Sequence, residues 1–335
     1  MSWFQTEFAA GKWVEVKSPA EIMATLGEDG VLDELPFMPE MLEYCGRRFQ
    51  ISHSAHKTCD TVTGSGGRRM ENAVHLAHLR CDGSFHGDCQ AHCQIFWKYD
   101  WLRPVEGPGH SETADIPESI KKGLLPTTTA SPRGPDTVYS CQATRLFDAT
   151  SPLERTKLTQ YVADVRSRNV SLGEALRILF LAAVFNLRHI GIGHRISVRL
   201  YDVTHRLLRG SPAPRWTGSI PQGEPTPDER LDLEVGELVE VKSMDEILAT
   251  LNKRGRNRGL SFDPEMVPYC GSRFRVAKRV TNIINEATGE MMQFSNPCIV
   301  LDGVFCQGKY SALRLMCPRR ITPYWREIWL RRIDE

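Results

Sequence analysis

The sequence predicts a mainly β fold with an α insert: two repeated small SH3-like barrels flanking a helical segment. Three observations carry this. A block of roughly 100 residues occurs twice, each copy alternates apolar and polar residues over short runs, and the stretch between the copies holds one long apolar helical run. The first block, "WVEVKSPAEIMATLGEDG" (13–30), matches "LVEVKSMDEILATLNKRG" (238–255) at an offset of 225. The same offset carries "PFMPEMLEYCGRRF" (36–49) onto "SFDPEMVPYCGSRF" (261–274) and Thr63-Gly64 onto Thr288-Gly289. Beyond gaps, Asp82-Gly83 pairs with Asp302-Gly303, and "FWKYDWLR" (96–103) with "YWREIWLR" (324–331). Two copies mean two related domains, expected at 1–103 and 233–335, because a solenoid needs at least three stacked units.

Each copy opens on an alternating strand, "VEV", followed by a short helix, "AEIMATL" or "DEILATL". A loop with Pro39 or Pro264 comes next. Strands are then expected in "RFQIS" or "RFRVAKRV", in "AVHLAHL" or "CIVL", and in the closing tryptophan segment. About five short strands per copy suit a small closed barrel, which leaves no exposed edge.

The middle segment, 104–232, opens with a Pro/Gly/Ser/Thr-rich stretch (104–137), expected to be a long surface loop or lid; His110 within it reads as solvated. "VYSCQATRLF" (138–147) reads as a strand. Two helices follow, with capping boxes at Ser151/Glu154 and Ser171/Glu174. The second contains "ILFLAAVF" (178–185), apolar on every face but too short to span a bilayer. It reads as a core helix, or as a peripheral membrane or protein contact through residues 175–188 beside the basic run "RHIGIGHRISVR". Residues 208–232, with five prolines, read as a linker.

The net charge is +1, so no global field draws the chain to nucleic acid, and "NKRGRNRG" (252–259) reads as a solvated edge. The N-terminal stretch has no basic-then-apolar leader pattern, which predicts a cytoplasmic protein. In a reducing compartment ten cysteines point to metal binding, redox chemistry or buried thiols rather than disulfides. No phosphate loop, dinucleotide fingerprint or Ser-His-Asp order supports a nucleotide enzyme or a conventional hydrolase.

The second copy serves as an internal control. Cys45 matches Cys270, and Cys89 matches Cys317. Cys59, Cys81 and Cys93 instead face Ile284, Leu301 and Ile321. Three losses of an aliphatic side chain in one copy would leave cavities costing about 1 kcal/mol each. A shared metal or cluster would fill that volume. Cys141 supplies a fourth thiol, and His86 and Cys89 sit between the others. Four thiolates suit an iron–sulfur cluster or tetrahedral zinc. The spacing Cys81-x7-Cys89-x3-Cys93 is a scattered set rather than a zinc knuckle. Cys298, Cys306 and Cys317 read as thiols in a packed core; His75 and His78 lie on opposite strand faces and are poor joint ligands.

"CDGSFH" (81–86) is similar to the signature of the CDGSH iron–sulfur family, in which a cysteine and a following histidine ligate a two-iron cluster. It is one residue longer than that signature and lacks the upstream C-x-C. Over most of 13–335 the chain resembles a bacterial tandem-repeat family, through "RCDGSFHGDCQAHCQIFW" (80–97), "FDPEMVPYCGSRFRV" (262–276) and "CPRRITPYWREIWL" (317–330). The resemblance implies a cytosolic accessory protein of a bacterial biosynthetic pathway and carries no activity. The function expected is therefore an iron–sulfur enzyme or redox component acting on a small-molecule or peptide substrate. The alternative is a zinc-stabilised tandem-barrel module that binds a peptide or nucleic acid.

Overall fold

The computed structural model describes residues 5–109, 116–131, 134, 136–187, 194–209, 217–311 and 314–333; His110 lies outside them. The chain is mainly β, in several sheets, with helices between. It divides into two compact units. The first is Met1–Ser171 with Asn282–Gln293 and Met316–Ile321; the second is Leu172–Thr281 with Phe294–Leu315 and Thr322–Glu335.

In chain order the first unit carries β1 (Trp13–Val16), α1 (Pro19–Met23), a short hairpin of β2 (Val31–Leu32) and β3 (Leu35–Pro36), and β4 (Arg48–Ser54). It continues with β5 (Lys57–Cys59), β6 (Gly67–Arg69), β7 (Ala73–Leu76), β8 (Trp97–Lys98) and β9 (Leu102–Val105). Helices α2 (Glu118–Leu124) and α3 (Gln142–Arg145), strand β10 (Ser151–Leu153) and helix α4 (Thr159–Arg166) complete it. The main sheet runs β8-β7-β4-β1-β9. Alternation in "WVEV" turns Val14 and Val16 fully inward, while Glu15 pairs with Arg48 and Arg103. α1 starts where Ser18 and Glu21 cap each other and Pro19 opens the first turn. Trp97 and Trp101 fill the core edge-on to Phe37, and Trp101 Nε1 donates to Thr25 Oγ1 at 3.2 Å.

The second unit carries α5 (Leu172–Leu187), α6 (His194–Arg209), β11 (Leu238–Val241), α7 (Met244–Ala249), the hairpin β12 (Arg256–Asn257) and β13 (Leu260–Ser261), β14 (Arg273–Ile284), β15 (Met291–Leu301) and β16 (Leu330–Arg332). The ends of β14 and β15 joined by their turn, Asn282–Gln293, belong to the first unit. The same local devices recur. β11 pairs with β14 and β16 as β1 pairs with β4 and β9. Ser243 and Glu246 cap α7, Phe262 meets Trp329 edge-on, and Trp329 Nε1 donates to Thr250 Oγ1 at 2.9 Å.

Three elements depart from the sequence reading. Ser151 does not start a helix: Ser151–Leu153 is β10, paired with β6, and α4 begins only at Thr159. Arg68 holds this pairing by donating to Thr150 Oγ1, Thr150 O and Phe147 O. Residues 138–147 are not a strand. Val138 and Tyr139 form isolated bridges, and α3 follows because Cys141 N is capped by Thr144 Oγ1 and buried Gln142 bonds Phe96 N, Phe96 O and Pro36 O. The described part of 104–137 is not all loop, since α2 lies within it. The apolar helix α5 buries Ile178, Leu181 and Val184 on one face and exposes Leu172, Leu176 and Phe180 on another. Among the described residues no helix is long and apolar enough to cross a membrane.

His75 on β7 gives the first unit an acid-sensitive point. It is fully buried and donates from Nδ1 to Ile95 O at 2.9 Å. Burial, aided by the positive charge of Arg80 and Arg319 and by neighbouring His53, drives its pKa down to about 3. The unfolded chain therefore takes up a proton near pH 6.5 that the folded chain refuses. This contribution is intact above the unfolded pKa and is lost as pH falls towards 3. Between pH 7 and pH 4 it amounts to about 3 kcal/mol. Urea denaturation across that range is expected to show the loss. His75→Asn, whose amide can still donate to Ile95 O, is expected to flatten it; an unchanged pH slope would refute the assignment.

Candidate metal centre

The cysteine-rich stretch folds into a loop whose ends are pinned together. Arg80 and Gln94 bridge, Cys81 N donates to Cys93 O at 2.8 Å, and Arg80 Nη1 reaches His92 O at 2.9 Å. Inside it, Asp82 Oδ1 accepts from Ser84 N and Oγ, and His86 N donates to Gly83 O. Gly83 has φ +80°, and a Cβ there would collide with the Cys89 backbone, so the turn requires glycine. This closure turns residues far apart along the loop towards one pocket.

That pocket is a recess open to solvent, with about 580 Å³ of atom-free space, part of it open solvent. Cys81, His86, Cys89 and Cys93 line it from the loop, and Cys141 from the start of α3. Ile284, Glu286 and Arg319, all within the first unit, line it as well. Cys59 is buried on β5 and is not among the lining residues. Five of the six residues singled out in the sequence thus face one pocket, and Cys59 does not line it.

The tightest donor group includes a residue that sequence reasoning missed. Glu40, Cys81 and His86 present ligand atoms that all lie within 4.8 Å of one another. Glu40 Oε1 is 3.1 Å from Cys81 Sγ and 3.4 Å from His86 Nδ1. Donors held about 2.0–2.3 Å from one tetrahedral ion stand roughly 3.3–3.7 Å apart, so these separations need only small adjustment. His86 Nε2 lies 3.2 Å from Ser140 O. Donation from Nε2 to that carbonyl leaves the Nδ1 lone pair facing Glu40, the orientation a metal-ligating histidine needs. His86 Nδ1 and Glu40 Oε2 are buried without a hydrogen-bond partner, which a bound cation would remedy.

Glu40 sits in the 3-10 turn Pro39–Tyr44, which Pro39 opens and which packs Met41 and Leu42 into the core. The available signal was the repeated "PEM": an acid held among core residues in both copies. In the second unit its counterpart Glu265 is also buried, but it accepts from the backbone N–H of Lys309, Tyr310 and Ser311. There the carboxylate anchors a loop. Glu40 instead faces a thiol and an imidazole.

The pocket walls favour protonated thiols until a cation arrives. Burial, reinforced by the Glu40 carboxylate, pushes the Cys81 thiol well above its ordinary value. Burial and Glu286, opposed by Arg319, push Cys93 up to about 12. Burial holds Cys141 at about 11. Burial opposes the charge on Arg319, but Glu286 at 2.7 Å outweighs it and holds the guanidinium above the usual arginine range. A bound divalent ion reverses the thiol preference, because a coordinated thiol gives up its proton.

Chemically, the set offers one carboxylate, one imidazole and one thiolate close together, with three further thiols on the same pocket. The chain matches no protein-family model and no curated protein, so its function has to be argued from this geometry.

Proposed function

We propose that the first unit binds one zinc-type ion through Glu40, Cys81 and His86, and that the fourth coordination position faces a substrate in the adjoining pocket. The observation that carries this is the mutual approach of those three donors, Glu40 and His86 buried and Cys81 partly so, with the second nitrogen of His86 directed to Ser140 O. Three protein ligands and an open position are the arrangement of a catalytic rather than a structural zinc site. When bound, the ion would supply Lewis-acid activation of water or of a substrate oxygen. The chain's own contribution is to orient the ligands and to offer Arg319, Glu286 and Gln94 among the polar contacts of a largely apolar wall. A small molecule is the class of substrate that suits a recess lined mainly by apolar side chains with a few convergent polar groups.

A second reading has an observation of its own. Cys81, Cys89, Cys93 and Cys141 line the same pocket, and four thiols are the ligand set of an iron–sulfur cluster in an enzyme or redox component of a biosynthetic pathway. The matched strand pairings of the two units support two repeated SH3-like barrels flanking a helical segment. A cytoplasmic setting suits either reading, because thiolate ligands persist where thiols stay reduced.

Metal analysis and a visible spectrum after anaerobic purification separate the readings. Colourless protein with about one zinc per chain is the expected result. Brown protein with iron and inorganic sulfide would establish the cluster instead. Protein that neither carries nor takes up either metal would refute both.

A further inference from the structure

The helix pair of the second unit has an outer face that the metal centre does not use. Arg209, at the end of α6, reaches Glu174 in the first turn of α5 at 3.1 Å, so the helices run antiparallel. α5 buries Ala175, Ile178, Leu181 and Val184. Its exposed stripe is Leu172, Leu176 and Phe180, which are 61%, 59% and 53% exposed at four-residue spacing. α6 adds Leu200, Val203 and Leu207 at helical spacing, with Leu207 79% exposed.

Charge indicates what covers this face. From Leu187 to Leu208 the sequence holds four arginines (188, 195, 199 and 206) and three histidines against a single acid, Asp202, while Arg209 is taken up by Glu174. Arg206 is exposed beside Leu207. A second copy would bring two arginine-rich segments together, which like charge opposes. An anionic surface that also accepts apolar side chains matches both features at once. The helices have 16 residues each, about 24 Å, shorter than a bilayer core, so they would lie in the surface rather than cross it.

We propose that α5 and α6 dock the protein on anionic phospholipid membranes, with the Leu/Phe/Val stripes at the headgroup boundary, exposed Arg206 against lipid phosphates and the basic charge of the segment adding attraction. The full chain should co-sediment with phosphatidylcholine vesicles containing phosphatidylglycerol, and far less with phosphatidylcholine alone. Phe180→Asp and Leu207→Asp should each weaken vesicle binding by about 10-fold or more. Raised salt should release the wild type. The metal content of these variants should not change. Should Phe180→Asp fold poorly by circular dichroism, Leu207→Asp at the more exposed position decides the question. Equal binding to both vesicle types, no response to either substitution, or light scattering showing a stable dimer or a bound acidic protein in place of lipid binding would overturn the proposal.

Discussion

Asp164→Asn is expected to lower the unfolding free energy by about 3–5 kcal/mol. Asp164 on α4 is fully buried and carries two partners: Lys57 Nζ from β5 at 2.5 Å and His56 Nε2 at 3.1 Å. Lys57 is itself 3% exposed, and its ammonium lies 5.0 Å from the Tyr161 ring centroid. Asparagine keeps the shape but removes the charge, leaving a buried ammonium without its counter-ion. The ring offers too little to compensate. The paired replacement Lys57→Met with Asp164→Leu removes both charges and should cost far less, or even stabilise. Urea denaturation of the single and double variants gives the coupling. A single-variant loss under about 1 kcal/mol would show that water or another group satisfies Lys57.

Glu40→Gln is expected to weaken zinc binding by about 100-fold or more, because the amide offers a neutral oxygen where the site has a carboxylate. Cys81→Ser and His86→Ala should do the same, whereas Cys270→Ser should not, since Cys270 packs the core of the other unit. The sharper control is Glu265→Gln. It changes the matched residue of the second copy, where three backbone N–H groups are the partners. That variant should lose about 1–3 kcal/mol of stability and keep its zinc affinity. Competition with a chromophoric chelator measures both. Equal affinity for wild type and Glu40→Gln would remove Glu40 from the site and leave the thiols as the ligand set.

Much of this fold was legible because its signals are local. "WVEV" alternates with the period of a strand, Ser18-x-x-Glu21 and Ser243-x-x-Glu246 are spaced to cap a helix, and each copy closes on two tryptophans that seek a core. The errors arose where a local signal met a tertiary competitor. Ser151-x-x-Glu154 has the spacing of a cap, but Arg68 bonds to Thr150 and Phe147 and that backbone pairs with β6 in a sheet. "VYSCQATRLF" alternates like a strand, but Gln142 finds three backbone partners in the core only by leaving it.

The candidate site divides along the same line. Comparison of the two copies marks Cys81 and Cys93 by residue type alone, since a thiol stands where the other copy has an aliphatic core residue. Glu40 escaped that comparison because both copies carry the same residue. Composition, duplication and period thus determined that the chain is mainly β, built on a repeat and rich in thiols facing inward. Tertiary structure alone decided that Glu40 meets Cys81 and His86 while Glu265 meets backbone amides, and that Cys59 does not line the pocket. The reason is physical: a strand or a cap is specified by neighbours a few residues away, whereas a ligand set depends on where loops separated by tens of residues bring their side chains.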